Sequence, residues 1–270
     1  MLRLYTFGGL RIERDGQPLQ LPTHKARDLL AYLIIFRNRP HPRPVLAGLL
    51  WPDLPEEKAR RRLSDTLWRV RHALGDHVSA NEEYIWFNTD LPYWLDVEEF
   101  ERLIDWGTGR LEDWKTGRLG GGEVGLVTNL PALRKAIKLY RGDFLEGFYH
   151  DWVLLERERL RGLYLKALRQ LLELYKQTGD YGTALEVAQQ LVATEPFHEV
   201  AHRELMRLYH LLGRDAEAIA QYHRCRKILR EELGVDPAPE TEALYQVLSR
   251  RVAPLPEPMA VHLPVPARCP

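Results

Sequence analysis

The sequence predicts a mainly α-helical protein made of two parts, an α+β part over residues 1–90 and an all-α part over residues 91–252. The first prediction rests on short strand-like segments that lie before and after three helical patterns. The second rests on apolar and small residues that recur at one constant offset, which indicates stacked helical repeats. A proline-rich tail, residues 253–270, has no core pattern and is expected to be disordered.

The N-terminal segment has the pattern of a small antiparallel sheet followed by a helix. Alternating apolar residues lead to Asp15-Gly16, a dipeptide typical of tight hairpin turns, and a further strand is expected over residues 18–21. A helix is expected to begin at Pro22 or Thr23 and to bury Ala26, Leu29, Leu30, Leu33 and Ile34. A short second helix is expected over residues 45–51, and the proline that follows is expected to end it.

The most informative segment is an amphipathic helix predicted over residues 55–75, called here the basic helix. Its apolar stripe consists of Leu63, Leu67, Val70 and Leu74. At about 100° per residue, the opposite side carries Lys58, Arg61, Asp65, Trp68, Arg69 and His72, with Arg62 on its flank. Such a face fits the major groove of DNA, where Arg contacts guanine edges and phosphates. An ordinary solvated helix has the same pattern.

A hairpin is predicted after the basic helix. The β-rich run YIWFN, residues 84–88, follows a polar turn, Asn81-Glu82-Glu83. The order of elements is then strands, helix, short helix, basic helix and hairpin, which is typical of a winged helix-turn-helix. We also expect Trp51 and Trp86 in the core of this part and Trp94 at its junction with the next.

From residue 91 onward the pattern is helical. Helices are expected over residues 91–106, from Pro131, over residues 151–177 and over residues 239–252, with a glycine-rich surface loop over residues 107–129. Five residues recur at an offset of 34: Leu171, Leu172, Tyr175, Gly179 and Ala184 match Leu205, Met206, Tyr209, Gly213 and Ala218. This offset is the period of the tetratricopeptide repeat, a helix pair that buries its faces against neighbouring repeats.

Several blocks of sequence resemble the Streptomyces antibiotic regulatory protein (SARP) family, which joins an OmpR/PhoB-type winged helix to a bacterial transcriptional activator domain. In the first part the blocks are LRLYTFGGLRIERDGQPLQL, HKARDLLAYLI, LAGLLWPD and ARRRLSDTLWRVRHALGD. In the second part they are YRGDFLEGF, DWVLLERERLR, EPFHEVAHRELMRLY and EELGVDPAPETEALY. The blocks follow the family's order and cover about residues 2–251.

The resemblance implies a transcriptional activator that binds double-stranded DNA as a homodimer on tandem direct repeats. The residues expected to reach bases or the adjacent backbone are Arg61, Arg62, Asp65, Trp68 and Arg69. Those expected to contact phosphates are Lys58, Lys25, Arg27 and Arg43. Three acids are expected either to contact the σ or α subunit of RNA polymerase or only to cap the basic helix: Asp53, Glu56 and Glu57.

Two features depart from a typical DNA-binding winged helix. The hairpin that should approach the minor groove carries Glu82 and Glu83 but no Lys or Arg. Trp68 places a bulky aromatic ring on the outward face of the basic helix. This ring either packs against a sugar or a thymine methyl group or turns back onto a neighbouring side chain.

Charge and cysteine content set further limits. The chain has 38 basic and 38 acidic residues, and residues 1–90 hold 14 Lys/Arg against 11 Asp/Glu, which favours DNA binding by the first part only weakly. Two cysteines argue against a disulfide framework. Charged residues interrupt every apolar run of residues 1–16, and no later stretch is long and apolar enough to span a membrane. We therefore expect no signal peptide, no membrane partner and a cytoplasmic location.

The sequence gives little support to an enzymatic function. The segment from His198 to His202 reads HExxH, a spacing that can bind zinc, but no pattern for a third ligand follows and the segment lies in a predicted repeat helix. We therefore expect surface or inter-repeat packing for both histidines, and no metal. No P-loop or G-x-S-x-G motif occurs, so neither a cofactor nor catalysis is expected. The main alternative is a helical-repeat adaptor whose winged helix binds only protein.

Overall fold

The computed structural model of the chain describes residues 1–108 and 129–252. The chain forms two compact units, Met1–Ala167 and Leu168–Pro270. Most of the loop predicted at residues 107–129, and all of the predicted tail at residues 253–270, lie outside the described residues. Within the described ranges, no helix has the length and apolar character needed to cross a membrane.

The predicted fold class is confirmed, because small sheets occur only near the start of the described chain and helices follow. The strands are β1 (Leu2–Tyr5), β2 (Arg11–Arg14), β3 (Gln17–Leu19), β4 (His41–Pro42), β5 (Val78–Ala80), β6 (Tyr84–Phe87) and β7 (Tyr93–Leu95). The helices are α1 (His24–Ile35), α2 (Arg43–Leu50), α3 (Glu56–Leu74), α4 (Asp96–Thr108), α5 (Leu130–Leu139), α6 (Asp151–Gln177), α7 (Tyr181–Thr194), α8 (Glu199–Leu211), α9 (Asp215–Ile228) and α10 (Pro239–Val252).

The first sheet has the strand order β3-β2-β1-β7. Its antiparallel part matches the predicted hairpin, and the turn residues Asp15 and Gly16 have φ values of 51° and 80°, as a tight two-residue turn requires. The prediction of one helix over residues 91–106 is wrong at its start. Tyr93–Leu95 is a strand that pairs in parallel with β1, and the helix begins only at Asp96.

A buried carboxylate fastens α4 to the end of β1. One oxygen of Asp96 accepts hydrogen bonds from the backbone N–H groups of Thr6 (2.7 Å) and Phe7 (3.0 Å). The other accepts from the Thr6 hydroxyl (2.6 Å) and the Val97 N–H (2.8 Å). Burial raises the pKa of Asp96 although these hydrogen bonds oppose the shift. The four donors therefore satisfy a carboxyl group that is costly to bury.

The second sheet, with the order β4-β6-β5, forms the predicted hairpin and adds the short strand β4 to it. Ile85 and Phe87 of β6 are buried, whereas Trp86 between them is only half-buried. Trp51, at the end of α2, is also half-buried. The expectation that Trp51 and Trp86 lie in the core is therefore wrong, because alternation along a strand places Trp86 on the face opposite its two buried neighbours.

A loop between α5 and α6 is held by one arginine. The Arg157 guanidinium donates to the backbone carbonyl oxygens of Phe144 (2.9 Å), Leu145 (2.9 Å) and Phe148 (3.3 Å). Leu145 has a φ of 48°, which is unusual for a residue with a branched side chain. The three hydrogen bonds satisfy carbonyl oxygens that, in this irregular turn, have no partner in a helix or a sheet.

The second unit contains the repeat predicted from the offset of 34 residues. Gly179 and Gly213 have φ values of 76° and 72° and end their helices with the same pair of backbone hydrogen bonds. Ala184 and Ala218 are fully buried, which is consistent with close approach of neighbouring helices. The part of α6 that lies in the second unit, from Leu168, forms one repeat with α7, and α8 and α9 form the next.

The HExxH residues serve the packing of this unit. The His198 ring caps α8 by accepting from the Ala201 N–H (3.3 Å). The buried His202 ring contacts the Pro196 carbonyl oxygen (2.8 Å) and the Gln221 amide (2.7 Å). Glu199 accepts from the Ala238 N–H at 2.9 Å. Within the described residues, no three His, Cys, Asp or Glu side chains form a cluster suited to a metal ion.

Candidate nucleic-acid interface

Helix α3 is the element that organises this surface, and its sequence fixes both ends. Glu56 and Glu57 occupy the first turn and Arg71 and His72 the last, so each charge favours the helix dipole at its end. Gly75 has a φ of 60° and its N–H donates to the Arg71 carbonyl, which ends the helix. The predicted bounds, 55–75, agree with Glu56–Leu74 flanked by Pro55 and Gly75.

The helix buries one face and exposes the other, as its periodicity predicts. The buried residues are Ala59, Leu63, Thr66, Leu67, Val70 and Leu74. The residues predicted to contact bases or the adjacent backbone are all exposed on the remaining surface: Arg61, Arg62, Asp65, Trp68 and Arg69. Lys58, predicted to contact a phosphate, is exposed as well. In the described parts of the chain, Arg61, Arg62 and Arg69 make no ion pair with a carboxylate. Their guanidinium groups are therefore available to an external anion.

Trp68 is the largest exposed side chain of this face, with 66 % of its surface accessible. Its indole stacks on the His72 imidazole one turn further along, with ring centroids 5.3 Å apart and ring planes 15° apart. The sequence left open whether the Trp68 ring contacts DNA or a neighbouring side chain, and the structure shows contact with a neighbouring side chain, that of His72. The stack covers only part of the indole and leaves the rest on the surface.

A groove of about 440 Å³ runs along the C-terminal half of α3 and is called here the α3 groove. Its lining residues are Arg43, Ser64, Leu67, Trp68, Arg71, His72, Gly75 and Asp76. Arg71 and Ser64 belong to this surface but were not among the residues predicted from sequence. On a helical wheel Arg71 lies next to the apolar stripe, and only the tertiary fold shows that it lines an open groove opposite Arg43.

Arg43 connects the α3 groove to the hairpin. Its Nε donates to the Asn81 carbonyl oxygen and its backbone N–H to the Glu83 carbonyl oxygen, both at 2.9 Å. The Asn81 side chain in turn accepts from the N–H groups of Glu83 (3.0 Å) and Tyr84 (2.7 Å), which shapes the hairpin turn. Thus the hairpin, which has no Lys or Arg of its own, carries a guanidinium supplied by the first turn of α2.

The two basic residues of α1 differ from those of α3 because they contact their own chain. The Lys25 ammonium lies 3.6 Å from the Asp28 carboxylate and 6.0 Å from the Trp51 ring centroid. The Arg27 guanidinium lies 3.5 Å from the Leu10 carbonyl oxygen and 5.5 Å from the Phe148 ring centroid. Both side chains are only half-exposed, and neither is among the residues that line the α3 groove.

The segment between α2 and α3 forms a separate acidic surface. Asp53, Glu56 and Glu57 are exposed, together with Leu54. Glu56 lies 3.7 Å from Arg60 in an exposed pair that contributes little to stability. None of the three acids accepts a capping hydrogen bond at the start of α3, where Pro55 occupies the cap position. They do lie near the positive end of the helix dipole.

Comparison with known proteins identifies the second part of the chain. The family model "Bacterial transcriptional activator domain" matches residues 95–248, more than half of the 270 residues. The regulatory protein AfsR of Streptomyces coelicolor is 28 % identical over 246 residues, which cover 91 % of this chain and 24 % of AfsR. The transcriptional regulatory protein MoaR1 of Mycobacterium tuberculosis is 27 % identical over 91 % of this chain and 78 % of MoaR1.

Two further similarities extend over almost the whole chain. The regulatory protein DnrI of Streptomyces peucetius is 25 % identical, with 92 % of each chain covered. The solved structure of Mycobacterium tuberculosis EmbR in complex with a low affinity phosphopeptide superimposes with a TM-score of 0.66. It is 24 % identical and covers 93 % of this chain and 65 % of EmbR, so it shows a shared fold.

These relatives are regulators by name, which confirms the expectation that the chain is not an enzyme. The chain spans about a quarter of AfsR but nearly all of DnrI. The family match begins at residue 95, and the winged-helix pattern of strands, α1–α3 and hairpin precedes it. The chain therefore belongs to the bacterial transcriptional activator domain family, as the resemblance of its sequence to SARP regulators predicted.

Proposed function

We propose that this protein is a sequence-specific DNA-binding transcriptional regulator, and specifically an activator, that places α3 in the major groove. The observation that carries the proposal is the set of exposed guanidinium groups on α3, those of Arg61, Arg62 and Arg69, which have no carboxylate partner among the described residues. Family membership supports the same conclusion, because the relatives are transcriptional regulators. The chromosome lies in the cytoplasm of a bacterium, so the protein acts there.

The exposed residues of α3 divide by position into two roles. Arg61, Arg62, Asp65 and Arg69 face outward and are proposed to reach base edges or the adjacent backbone. Lys58 is proposed to contact a phosphate. Arg43 and Arg71 line the α3 groove and are proposed to hold the phosphates of one strand there.

Lys25 and Arg27 are proposed as weaker phosphate contacts. Each is half-exposed and already contacts its own chain, so binding a phosphate requires that these contacts loosen. The hairpin is proposed to approach the neighbouring minor groove through Arg43, which compensates the negative charges of Glu82 and Glu83 near the turn.

Activation requires a second surface besides the one that binds DNA. We propose that Asp53, Glu56 and Glu57 contact a basic surface of RNA polymerase, on its σ or α subunit, since they are exposed and form no cap for α3. The small charge excess of residues 1–90 limits the affinity of one protomer. We therefore propose that two protomers bind side by side on tandem direct repeats.

The proposal is tested by selecting bound fragments from genomic DNA and then measuring affinity as a function of salt concentration. We expect repeated half-sites and a linear fall of log K with log salt, with a slope of roughly −0.9 per phosphate contact. Replacement of Arg61 and Arg69 by Ala should abolish the preference for the selected sequence.

The matched control removes the same charge from another helix. Arg134 and Lys138 are exposed on α5, and their replacement by Ala should leave both affinity and preference unchanged. If the wild-type protein selects no sequence, or if the α3 and α5 variants behave alike, α3 does not recognise DNA. The helical-repeat adaptor would then be the better interpretation.

A further inference from the structure

The exposed indole of Trp68 is the feature of α3 that the proposed phosphate and guanine contacts leave unexplained. An apolar ring with 66 % of its surface accessible stands among charged side chains on this face. Exposure of so large an apolar surface gains nothing for folding. A partner that covers the ring on binding would gain the corresponding hydrophobic free energy.

The indole is held in one direction by the residue that follows it one turn later. The His72 imidazole stacks on it with nearly parallel planes, 15° apart, at a centroid distance of 5.3 Å. His72 is itself exposed and lies on the same face. Because one side of the indole rests on His72, its rotamers are restricted and its free edge and opposite side remain available.

The position of Trp68 on the helix aligns it with Arg61, one of the proposed base contacts. Seven residues separate them, which corresponds to a rotation of about 700°, or 20° short of two full turns. The two side chains therefore leave the helix in nearly the same direction, about 10 Å apart along its axis. At about 3.4 Å per base pair, this separation corresponds to about three base pairs.

The major groove offers one apolar group on the base edges, the C5-methyl of thymine. We propose that Trp68, positioned by His72, packs against the methyl group of one thymine in each half-site, about three base pairs from the base that Arg61 contacts. This inference rests on the proposed function, since it requires α3 in the major groove. Trp68 thereby distinguishes thymine from cytosine, which has no methyl group at C5.

The test removes only this methyl group from the DNA. Each thymine of a selected half-site is replaced in turn by deoxyuridine, and the Kd is measured for the wild-type protein and for Trp68→Ala. For the wild type we expect one position at which uracil raises the Kd about fourfold. This factor corresponds to the free energy of burying one methyl-sized group, which uracil lacks. Trp68→Ala should bind the thymine and uracil sites equally well.

The role of His72 is tested by two variants that differ in their ability to stack. His72→Phe keeps an aromatic ring against the indole and should retain the preference for thymine over uracil. His72→Ala should reduce it to less than twofold, because the indole is no longer held. An equal effect of both variants would contradict a positioning role.

The outcomes separate this inference from the proposed function. Failure to select any DNA sequence overturns the proposed function itself. Sequence-specific binding in which no thymine responds to uracil, or in which Trp68→Ala responds as the wild type does, overturns only the thymine contact. The second result is expected if the indole packs against a deoxyribose in the α3 groove, because a sugar contact does not depend on the base.

Discussion

Asp96 shows how one side chain can hold two elements of the first unit together. Both of its oxygens are used, since one accepts from the N–H groups of Thr6 and Phe7 and the other from the Thr6 hydroxyl and the Val97 N–H. An asparagine at this position has an amide NH₂ in place of one oxygen. If the NH₂ faces the backbone N–H groups of Thr6 and Phe7, both of these donors lack an acceptor. If it faces the other pair, the Thr6 hydroxyl can turn to accept from it, but the Val97 N–H is left without an acceptor.

We therefore expect Asp96→Asn to lower the free energy of unfolding by about 2–3 kcal/mol, because buried donors are left unsatisfied. Urea unfolding of the full chain at neutral pH measures the change. Asp90→Asn, at an exposed position, is the matched control and should change stability by no more than about 0.5 kcal/mol. Equal stability of the two variants would contradict the role of Asp96.

His202 makes stability depend on pH in the second unit. Its Nε2 faces the Pro196 carbonyl oxygen, which only accepts, so Nε2 carries the proton and Nδ1 accepts from the Gln221 amide. Burial lowers the pKa of His202 in the folded state. The unfolded state then binds more protons just below its own pKa of about 6.5, and stability falls as the pH decreases.

The expected result is a urea midpoint that decreases between pH 7.5 and pH 5.5 for the wild type. His202→Gln should be less stable at pH 7.5 but should show a smaller decrease, because it has no proton to bind. His41 contributes a decrease of the same sign, since burial also lowers its pKa, so some pH dependence remains in the variant. Parallel curves for the two proteins would rule out His202 as a source.

At the residues of the candidate site, sequence periodicity predicted the set on α3 because a helix of known phase fixes which side chains share a face. It missed Arg71 and did not place Arg43 in the α3 groove. Whether these two side chains line one groove depends on how α2 packs against α3, and helical phase carries no information on that. Their contacts with DNA remain predictions.

Among the elements, the repeat helices depend on glycine at their ends. Gly213 has a φ of 72°, and the neighbouring Arg214 N–H donates to the Tyr209 carbonyl oxygen at 2.8 Å, which closes the end of α8. We expect Gly213→Ala to destabilise the protein by roughly 1–2 kcal/mol, since a Cβ is unfavourable in the left-handed region. Thermal unfolding followed by circular dichroism measures the loss.

The control for this change is Gly182→Ala in α7. Gly182 lies in the first turn of a helix, and a Cβ there would meet only the Asp180 carboxylate, at an ordinary 3.8 Å. This variant should be neutral or more stable by up to about 1 kcal/mol, because alanine favours the helix. If both alanine variants lower stability alike, the left-handed turn is not the cause.

The acidic segment between α2 and α3 allows binding and activation to be separated. Replacement of Asp53, Glu56 and Glu57 by Ala should leave specific DNA affinity unchanged or slightly stronger, since three negative charges are removed near the site. Transcription from a promoter that carries the selected sites should fall, because the proposed polymerase contact would be lost. In vitro transcription with purified polymerase provides the measurement, and unchanged activation would contradict the proposed contact.

Elements whose ends are marked by nearby residues could be predicted from the sequence. Strands that depend on pairing with residues far away in the sequence could not. Helix α3 and the turns at Gly179 and Gly213 carry their own end signals, so their bounds could be predicted. Strand β7 has three residues and pairs with β1, about ninety residues earlier, so nothing nearby marks it as a strand. Strand β4, with two residues, is shorter still.

For the whole molecule, the proposed binding of two protomers side by side would make affinity depend on the helical phase of the two half-sites. Insertion of 5 base pairs between them rotates one site by about half a turn of DNA, whereas 10 or 11 base pairs restore its orientation. We expect cooperative binding to be lost with the first insertion and largely recovered with the second. Gel-shift titration of the three DNA fragments measures this, and equal binding to all of them would indicate independent protomers.

Strand β7 also constrains how this architecture can be cut and recombined. The family match begins at residue 95, yet Tyr93–Leu95 completes the first sheet and Asp96 satisfies the end of β1. A fragment that stopped at Asp90 would expose β1 as an unprotected edge and leave buried N–H groups without acceptors. A chimaera joined to a related regulator after Asp90 would lack the same strand and the same acceptors unless the partner sequence supplied them. Exchange of the winged-helix part between relatives should therefore succeed only when the exchanged segment includes β7 and Asp96.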